Sequence, residues 1–314
     1  MKKIKALVLF SGGLDSIIAA ELLKRQNIEI LALSFKSYFF DGKEAKKAAE
    51  SIKIPLRIVD FSEEHLRLVI NPRHGYGKSV NPCIDCHALM LKKAKEIMEK
   101  EKFAFVATGE VLGQRPMSQN KQSLRTVLRE SSLEGYLLRP LSAKLLDETI
   151  LEKKGLIDRQ KLLDISGRSR KKQIELAKKW GIKEYSTPAG GCLLTDLEFG
   201  RKLKELINNY PKFSGNDVQL LKIGRHFWQE KTKIIIGRNE KENKQIKKLS
   251  RPKDILIEMN DFPGPLALIR NYESKNINKS LKEAKSLILK YSNKVKNKTN
   301  IVFNIKKDSQ DLFN

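Results

Sequence analysis

Residues 8–25 read VLFSGGLDSIIAAELLKR and contain the feature that decides the fold. An apolar run leads into SGGLDS at residues 11–16, and a helical pattern of apolar residues follows. Glycines at a strand-to-helix junction let the backbone bend tightly, so that its N–H groups, the serine hydroxyls and the helix N-terminus can face an anion. The segment predicts a phosphate-binding loop, with an ordinary glycine-rich turn as the alternative. The residues of the predicted loop are Ser11, Gly12, Gly13, Leu14, Asp15 and Ser16.

Strand-like and helix-like patterns alternate along the first part of the chain. Predicted strands lie at residues 4–10, 28–35, 55–61 and 103–108. Predicted helices lie at residues 15–26, 41–53, 87–102 and 169–180. This alternation predicts an α/β domain with a twisted parallel sheet and right-handed crossovers. We expect the domain to span residues 1–205.

The pattern changes after about residue 211, where strands no longer alternate regularly with helices. Predicted strands lie at residues 233–237, 254–258 and 301–305. Predicted helices lie at residues 240–249 and 278–292, and a Pro-Gly-Pro turn lies at 263–265. These elements indicate a smaller α+β domain at residues 211–314, and a chain of 314 residues is long enough for two domains.

Composition favours a cytoplasmic protein without a membrane partner. The chain is 40% hydrophobic and has no run of 18 apolar residues. The N-terminal Met-Lys-Lys lacks the apolar core of a signal peptide. Three cysteines, an odd number, argue against a disulfide framework.

The charge indicates a polyanionic partner. Lys and Arg total 62 against 37 acidic residues, which gives a net charge of +25. Nucleic acid explains such an excess through counterion release, and a lysine-rich solvated surface is the alternative. Arg168, Arg170 and Lys171 form a basic stretch at the start of a predicted helix and are candidate RNA contacts.

The three cysteines form the second candidate site. Cys83 and Cys86 lie in PCIDCH, and Cys192 lies in PAGGCLLT at residues 188–195. Three thiolates are too few for a four-cysteine zinc site, and the adjacent Cys86 and His87 rarely bind one ion together. They suit an iron–sulfur cluster with one iron left open, or a persulfide carrier with a resolving partner. Three buried small hydrophobic residues are the structural alternative.

A polar segment, TGEVLGQRPMSQ at residues 108–119, follows a predicted strand. Thr108 and Gly109 should therefore lie at the carboxyl edge of the sheet, beside the phosphate loop, where open α/β sheets bind ligands. Gln114 is the third candidate for nucleotide binding in this segment, and Glu110, Ser118 and Gln119 are expected to line the same site. A solvated loop is the alternative.

These motifs together resemble a known group of enzymes. SGGLDS resembles the PP-loop of ATP pyrophosphatases, which have the adenine nucleotide alpha hydrolase-like fold, and lacks the Gly-Lys-Ser/Thr ending of kinase-type loops. TGEVLGQRPMSQ and LRPL at 138–141 are similar to the catalytic domain of tRNA 4-thiouridine synthetases. NPCIDCH at 81–87 is similar to a segment of tRNA 2-thiouridylases, and some archaeal 4-thiouridine synthetases have CxxC plus a third cysteine. The resemblance covers about residues 4–200.

The resemblance implies an enzyme that cleaves ATP to AMP and pyrophosphate, adenylates a uridine carbonyl of tRNA and replaces its oxygen by sulfur. It favours 4-thiouridine over 2-thiouridine, with sulfide or a cysteine desulfurase as sulfur donor. Its catalytic residues would be Cys86, Cys192 and Asp15, and its cofactors ATP, Mg²⁺ and a [4Fe-4S] cluster on Cys83, Cys86 and Cys192. A non-thiolating RNA-binding protein and a tRNA ligase of lysidine type are the alternatives.

The C-terminal region resembles a different family. Residues 233–270 resemble the RNA-binding domain of NFACT proteins in a Gly-Arg-Asn turn, an Asp-Ile strand and a Pro-Gly element. The resemblance implies that Arg238 and Asn239 contact RNA. A hairpin turn with a solvated arginine is the alternative.

Overall fold

The computed structural model describes residues 4–185, 191–274, 277–295, 298 and 300–307. The chain divides into two compact units, Met1–Asp196 and Leu197–Asn314. The sequence places the first domain at residues 1–205, whereas the structure assigns the helix at 197–209 to the second unit, where it packs against the helix that follows it. No helix in the described part of the chain is long and apolar enough to cross a membrane.

The first unit is a parallel sheet with helices on both faces. Its strands are β1 (Lys5–Leu9), β2 (Glu29–Lys36), β3 (Leu56–Asp60), β4 (Phe105–Thr108) and β5 (Leu137–Leu138). Its α-helices are α1 (Leu14–Lys24), α2 (Lys43–Ser51), α3 (Ser62–Ile70), α4 (Cys83–Glu101), α5 (Lys121–Ser131), α6 (Ile150–Lys153) and α7 (Lys171–Lys179). The strand order is β3-β2-β1-β4-β5, with every pair parallel, so the predicted α/β fold is confirmed.

The strand order reverses direction between β1 and β4. In open α/β sheets the ligand crevice lies at such a point, outside the carboxyl ends of the strands. Ala6, Leu7 and Val8 of β1 are fully buried, because helices cover both faces of the central strand. Full burial of a valine or leucine side chain stabilises a fold by about 1.5–3 kcal/mol. A rigid central strand therefore holds the phosphate loop in place.

The structure differs from the predicted elements around the cysteines. The helix predicted at residues 87–102 begins at Cys83, so Cys83 and Cys86 lie in its first turn and not before it. Pro82 precedes this turn, where its missing N–H group is harmless. The prediction also missed α3, α5 and β5, which are short or mostly polar on their outer faces.

The second unit is an antiparallel sheet with helices. Its strands are β6 (Arg225–Gln229), β7 (Thr232–Ile236), β8 (Ile255–Met259), β9 (Ala267–Asn271) and β10 (Phe303–Lys307). Its α-helices are α8 (Leu197–Asn209), α9 (Gly215–Leu221), α10 (Glu240–Leu249) and α11 (Ile277–Lys290). The strand order is β10-β8-β9-β7-β6, which confirms the smaller α+β domain, although α8, α9, β6 and β9 were missed.

A buried ion-pair network lies within the second unit. Arg270 of β9 is 3% exposed, and its guanidinium donates to Asp254 at 2.6 Å and to Asp217 at 2.8 Å. Burial alone would raise the pKa of Asp217, but Arg270 holds that pKa well below its usual value. Because both carboxylates accept charged hydrogen bonds, the buried charges are compensated.

Gly12 lets the phosphate loop pass close to α2. Its φ is +77°, and a Cβ placed there would lie 2.4 Å from the carbonyl oxygen of Glu44. Neither the backbone conformation nor the available space admits a side chain. Gly155 has a similar φ of +66°, but a Cβ at that position would meet nothing within 4 Å. Alanine at Gly155 would therefore introduce backbone strain alone, whereas alanine at Gly12 would introduce strain and a steric clash.

We expect Gly155→Ala to destabilise the first unit by about 1 kcal/mol, from backbone strain alone. Gly12→Ala should cost about 2–4 kcal/mol, because the contact with α2 adds to the strain. Urea unfolding of both variants in a Trp228→Phe background would measure this, since Trp180 then reports on the first unit alone. Equal losses in the two variants would contradict the steric argument.

Candidate active site

The loop between β1 and α1 is arranged to bind an anion. The N–H group of Gly13 donates to Ser11 Oγ at 3.3 Å, and the Ser16 hydroxyl donates to the Gly13 carbonyl at 2.8 Å. Gly13 is the N-cap of α1, and no side chain of the described residues caps the helix there. The N–H groups of the first helical turn are therefore left available at the loop, an arrangement that favours an anion.

Asp15 is fixed by two amides from distant segments. Its two carboxylate oxygens accept hydrogen bonds from Gln114 at 3.1 Å and Gln173 at 3.2 Å. Sequence reasoning missed Gln173, a fully buried residue of α7. A polar residue one turn before Ala177, on the buried face of that helix, was the signal that would have indicated it.

Three buried polar atoms, one in the 108–119 segment and two at the start of α7, have no hydrogen-bond partner among the described residues. They are the amide oxygens of Gln119 and Gln173 and the Nε of Arg170. Buried polar groups are nearly always paired in folded proteins, and an unpaired group needs an explanation such as a bound ligand. Their chemistry fits a nucleotide, since an amide oxygen accepts from a base and a guanidinium donates to a phosphate.

Gly109 brings β4 against the start of α1. A Cβ at this position would lie 2.6 Å from the backbone of Asp15 and Ser16. The residue after Thr108 must therefore be glycine if the two carboxyl-edge loops are to touch. This contact places Thr108, Gly109 and the phosphate loop at one edge of the sheet, where the sequence predicts them to lie.

Glu110 is a buried carboxylate that joins this edge to the cysteine-bearing helix. It accepts from Arg139 Nε at 2.9 Å, from the Thr108 hydroxyl at 3.1 Å and from His87 Nδ1 at 2.8 Å. Burial alone would raise the pKa of Glu110, but Arg139 and His87 hold that pKa well below its usual value. An ionised carboxylate only accepts, so the hydrogen of His87 lies on Nδ1.

The three thiols lie close to one another. The Leu193 N–H group donates to the Phe39 carbonyl at 3.1 Å, which brings Cys192 to the loop after β2. Burial raises the pKa of Cys86, and the thiols of Cys192 and Cys83 raise it further. Burial also raises the pKa of Cys192 to about 11, although the N–H groups of Leu194 and Thr195 oppose the shift. The Ser79 hydroxyl also donates to the Asp196 carbonyl at 3.2 Å, which joins the segment of Cys192 to the segment that leads into Cys83 and Cys86.

The spacing of the thiols bears on what they can hold. Among residues with assigned positions, the three sulfur atoms do not all lie within 4.8 Å of one another. Thiolates around one zinc ion, with Zn–S of about 2.3 Å, would lie closer together. Thiolates are also the ligand type of iron–sulfur clusters, in which each iron binds one thiolate.

The predicted RNA contacts lie in two separate places. Arg168 and Lys171 are exposed just before and at the start of α7, and Arg170 between them is half-buried. In the second unit, Arg238 pairs with Glu242 at 2.5 Å, and Asn239 caps α10 by accepting from the Glu242 N–H group at 2.9 Å. The Asn239 side chain therefore has a structural role. Residues 188–190, before Cys192, lie outside the described residues.

Two protein families match the chain. Residues 4–179 match the family described as tRNA methyl transferase HUP domain, and residues 224–313 match the family described as NFACT protein RNA binding domain. These matches confirm the two resemblances drawn from the sequence.

The chain is also similar to individual proteins. It is 31% identical over 132 residues to a tRNA-specific 2-thiouridylase MnmA of Karelsulcia muelleri, covering 38% of this chain and 34% of that protein. It is 24% identical over 232 residues to the Geotalea uraniireducens protein of the same name, covering 65% and 58%. A crystal structure of a 4-thiouridine synthetase–RNA complex with bound ATP has 20% identity and a TM-score of 0.39, covering 69% of this chain and 52% of that one. The chain thus spans from a third to three-fifths of these relatives.

We expect Arg139→Met to destabilise the first unit by about 3–5 kcal/mol at pH 7, because it leaves the Glu110 carboxylate buried without its main partner. In the intact protein the low pKa of Glu110 adds stability at neutral pH, which is lost as the pH falls through that pKa. In the Arg139→Met variant, burial should raise the pKa of Glu110 instead. The loss of stability relative to the unchanged protein should therefore become smaller from pH 7 to pH 5, as Glu110 takes up a proton.

The matched control is Arg57→Met, which breaks an exposed pair with Glu101 in the same unit. Exposed pairs contribute about 0–1 kcal/mol. Urea unfolding at both pH values, followed by Trp180 fluorescence in a Trp228→Phe background, measures both variants. A similar loss in the two variants, or a deficit for Arg139→Met that does not change with pH, would contradict the assignment.

Proposed function

The chain belongs to the tRNA methyl transferase HUP domain family, and we propose that it is an ATP-dependent enzyme that replaces a carbonyl oxygen of a tRNA uridine by sulfur. The observation that carries the proposal is the juxtaposition of the phosphate loop and the three thiols at one sheet edge. Glu110 connects them, because it bonds Thr108 beside the loop and His87 beside Cys86. The 2-thiouridylase names of the relatives support the same reaction.

In the first step the uridine oxygen attacks the α-phosphorus of ATP, and the bond from that phosphorus to the bridging oxygen of the β-phosphate breaks. Pyrophosphate leaves, and the base carries AMP on its oxygen. The donors of residues 11–16 would hold the phosphates and stabilise the negative charge that develops. Asp15, held between Gln114 and Gln173, would bind Mg²⁺ through its carboxylate, the ligand type that this ion prefers.

In the second step a sulfur nucleophile attacks the activated ring carbon, and AMP departs with the former uridine oxygen. The three thiols would hold a [4Fe-4S] cluster, which when bound supplies one iron without a protein ligand as a place for the donor sulfur. The alternative uses Cys86 and Cys192 alone, as a persulfide and its partner. Sulfide would supply the cluster route, and a cysteine desulfurase, which transfers sulfur already at the persulfide level, would supply the persulfide route. In the persulfide route Cys192 would then attack Cys86 Sγ and break its S–S bond, and an external thiol would reduce the resulting disulfide.

The tRNA must expose its base, because a stacked uridine cannot reach the thiols. Arg168, Arg170 and Lys171 lie at the start of the helix that carries Gln173 and would bind the backbone near the site. In the second unit Arg238 would contribute to RNA binding, together with the Asn239 turn. The preference for 4-thiouridine over 2-thiouridine stays a prediction.

We expect the protein, given ATP, unmodified tRNA and a sulfur source, to release AMP and pyrophosphate in equal amounts. Mass spectrometry of the digested tRNA should show thiouridine, and chromatography separates its 4-thio and 2-thio isomers. Asp15→Asn should lower the rate about 100-fold, because the carboxylate that would bind Mg²⁺ beside the phosphates is lost.

Asp164→Asn is the matched control, since Asp164 is an exposed carboxylate of the same unit that pairs with Lys172. It should keep the rate within about twofold. Release of ADP and phosphate in place of AMP and pyrophosphate would overturn the proposed reaction.

We expect Cys83→Ala, Cys86→Ala and Cys192→Ala each to abolish thiolation. Protein purified without oxygen should absorb broadly near about 400 nm, and each variant should lose that colour, because a three-thiolate site fails when one ligand is removed. The iron content of the purified protein gives an independent readout.

The two sulfur routes differ at Cys83. A persulfide route needs two thiols, so colourless Cys83→Ala protein with full thiolation would exclude the cluster and leave Cys86 and Cys192 as the working pair. Retention of the ATP-to-AMP reaction in the cysteine variants would show that the first step and the fold remain intact.

A further inference from the structure

The second unit contains a cavity of about 370 Å³ that the proposed thiolation does not use. Three elements and one turn converge on it. They contribute Lys202 from α8, Arg225, His226 and Phe227 from β6, Arg238 from the turn after β7, and Tyr291 directly after α11. Gly224 lets the chain pass close to the end of β7 before it enters β6. Its φ is +74°, and a Cβ there would lie 2.8 Å from the Ile236 carbonyl oxygen. The cavity is therefore a product of the tertiary fold.

The walls of the cavity are strongly cationic. Four of the lining side chains are Arg or Lys, and one, Glu198, is a carboxylate. Lys202 is held by Glu198 at 2.9 Å, and Arg238 is held by Glu242 at 2.5 Å. These ion pairs fix the cations in position before any ligand arrives, which lowers the entropy lost on binding.

Arg225 differs from the other cations of the cavity. Its side chain forms no ion pair with any residue that the structure describes. The guanidinium lies over the ring of Tyr291, 4.4 Å from the ring centre. Stacking of this kind leaves the donors at the guanidinium edge available, and that edge matches the geometry of a phosphate.

His226 lies at the wall of the cavity, and both of its ring nitrogens are buried. Burial lowers the pKa of His226 well below its usual value, and Lys233 and Lys202 lower it further. The ring is therefore neutral and adds no charge to the cavity wall.

We propose that this cavity binds a nucleotide, with its phosphate on Arg225 and Lys202. A cavity of this volume is in the range of small-ligand sites. Phe227 and Tyr291, whose ring centres lie 6.2 Å apart, provide apolar surface for the attached sugar or base. The nucleotide is either part of an RNA chain or a free mononucleotide, and the RNA source rests on the RNA binding proposed above.

The test uses the full chain and two probes, a fluorescently labelled unmodified tRNA and free uridine monophosphate. The cavity variant is Lys202→Gln with Arg225→Gln. We expect its dissociation constant for tRNA to rise at least about tenfold, and the slope of log affinity against log salt to fall by about 1 to 2. In calorimetry, the dissociation constant of the cavity variant for uridine monophosphate should also be higher than that of the unchanged protein.

Two controls accompany this variant. Lys241→Gln with Lys248→Gln removes two exposed cations of α10 outside the cavity and should change the affinity less than about twofold. Lys202→Arg with Arg225→Lys keeps both charges and should retain most of the binding. This charge-preserving variant, together with the circular dichroism of all variants, separates loss of charge from loss of fold.

The outcomes distinguish the two sources of the nucleotide, an RNA chain and a free mononucleotide, and they test the cavity separately from RNA binding. Weaker binding of tRNA by the cavity variant alone supports an RNA phosphate, and weaker binding of uridine monophosphate alone supports a free nucleotide. If the cavity variant binds both probes as the unchanged protein does, the cavity proposal is overturned while RNA binding stands. If the unchanged protein binds uridine monophosphate but not tRNA, the proposed RNA binding fails and the cavity proposal stands.

Discussion

The buried carboxylate of Glu110 is the constraint on which the site of the first unit depends. It accepts charged hydrogen bonds from Arg139 and His87, with the three side chains contributed by different segments of the chain. Its charge is tolerated because both partners are close and the hydroxyl of Thr108 satisfies a further lone pair. The carboxylate therefore ties the end of β4 to the helix that carries Cys83 and Cys86.

Two chemically different sets of residues lie at the carboxyl edge of the sheet. On one side, the phosphate loop offers backbone N–H groups and hydroxyls, which suit the polyphosphate of ATP. On the other side, burial raises the pKa values of Cys86 and Cys192, so these two thiols keep their protons at neutral pH until a positively charged group binds beside them. The uridine of the proposed reaction has to reach both sides, which explains why the two sets of residues share one edge.

The second unit uses charge in a different way. Arg270 is enclosed and neutralised by Asp217 and Asp254, so it stabilises the fold and has no role at the surface. The cations around the cavity are instead held at its wall, and Arg225 rests on an aromatic ring without an acidic partner in the described structure. Arg270 and Arg225 thus differ in that the first is enclosed by carboxylates, whereas the second contacts an aromatic ring.

The sequence by itself determined the features that are local along the chain. The strand, loop and helix of residues 4–26 are contiguous, so their periodicity and their glycines were enough to predict the phosphate loop and the parallel sheet around it. Short elements such as α3 and α9 were not predicted, because their helical pattern is weak without the surfaces they pack against. Tertiary structure alone decided that Gln173 reaches Asp15 and that Arg139 neutralises Glu110, whereas the grouping of Cys192 with Cys83 and Cys86 was already predicted from the sequence. Each of these contacts joins residues far apart in sequence, and it forms only when the folded sheet brings their segments to one edge.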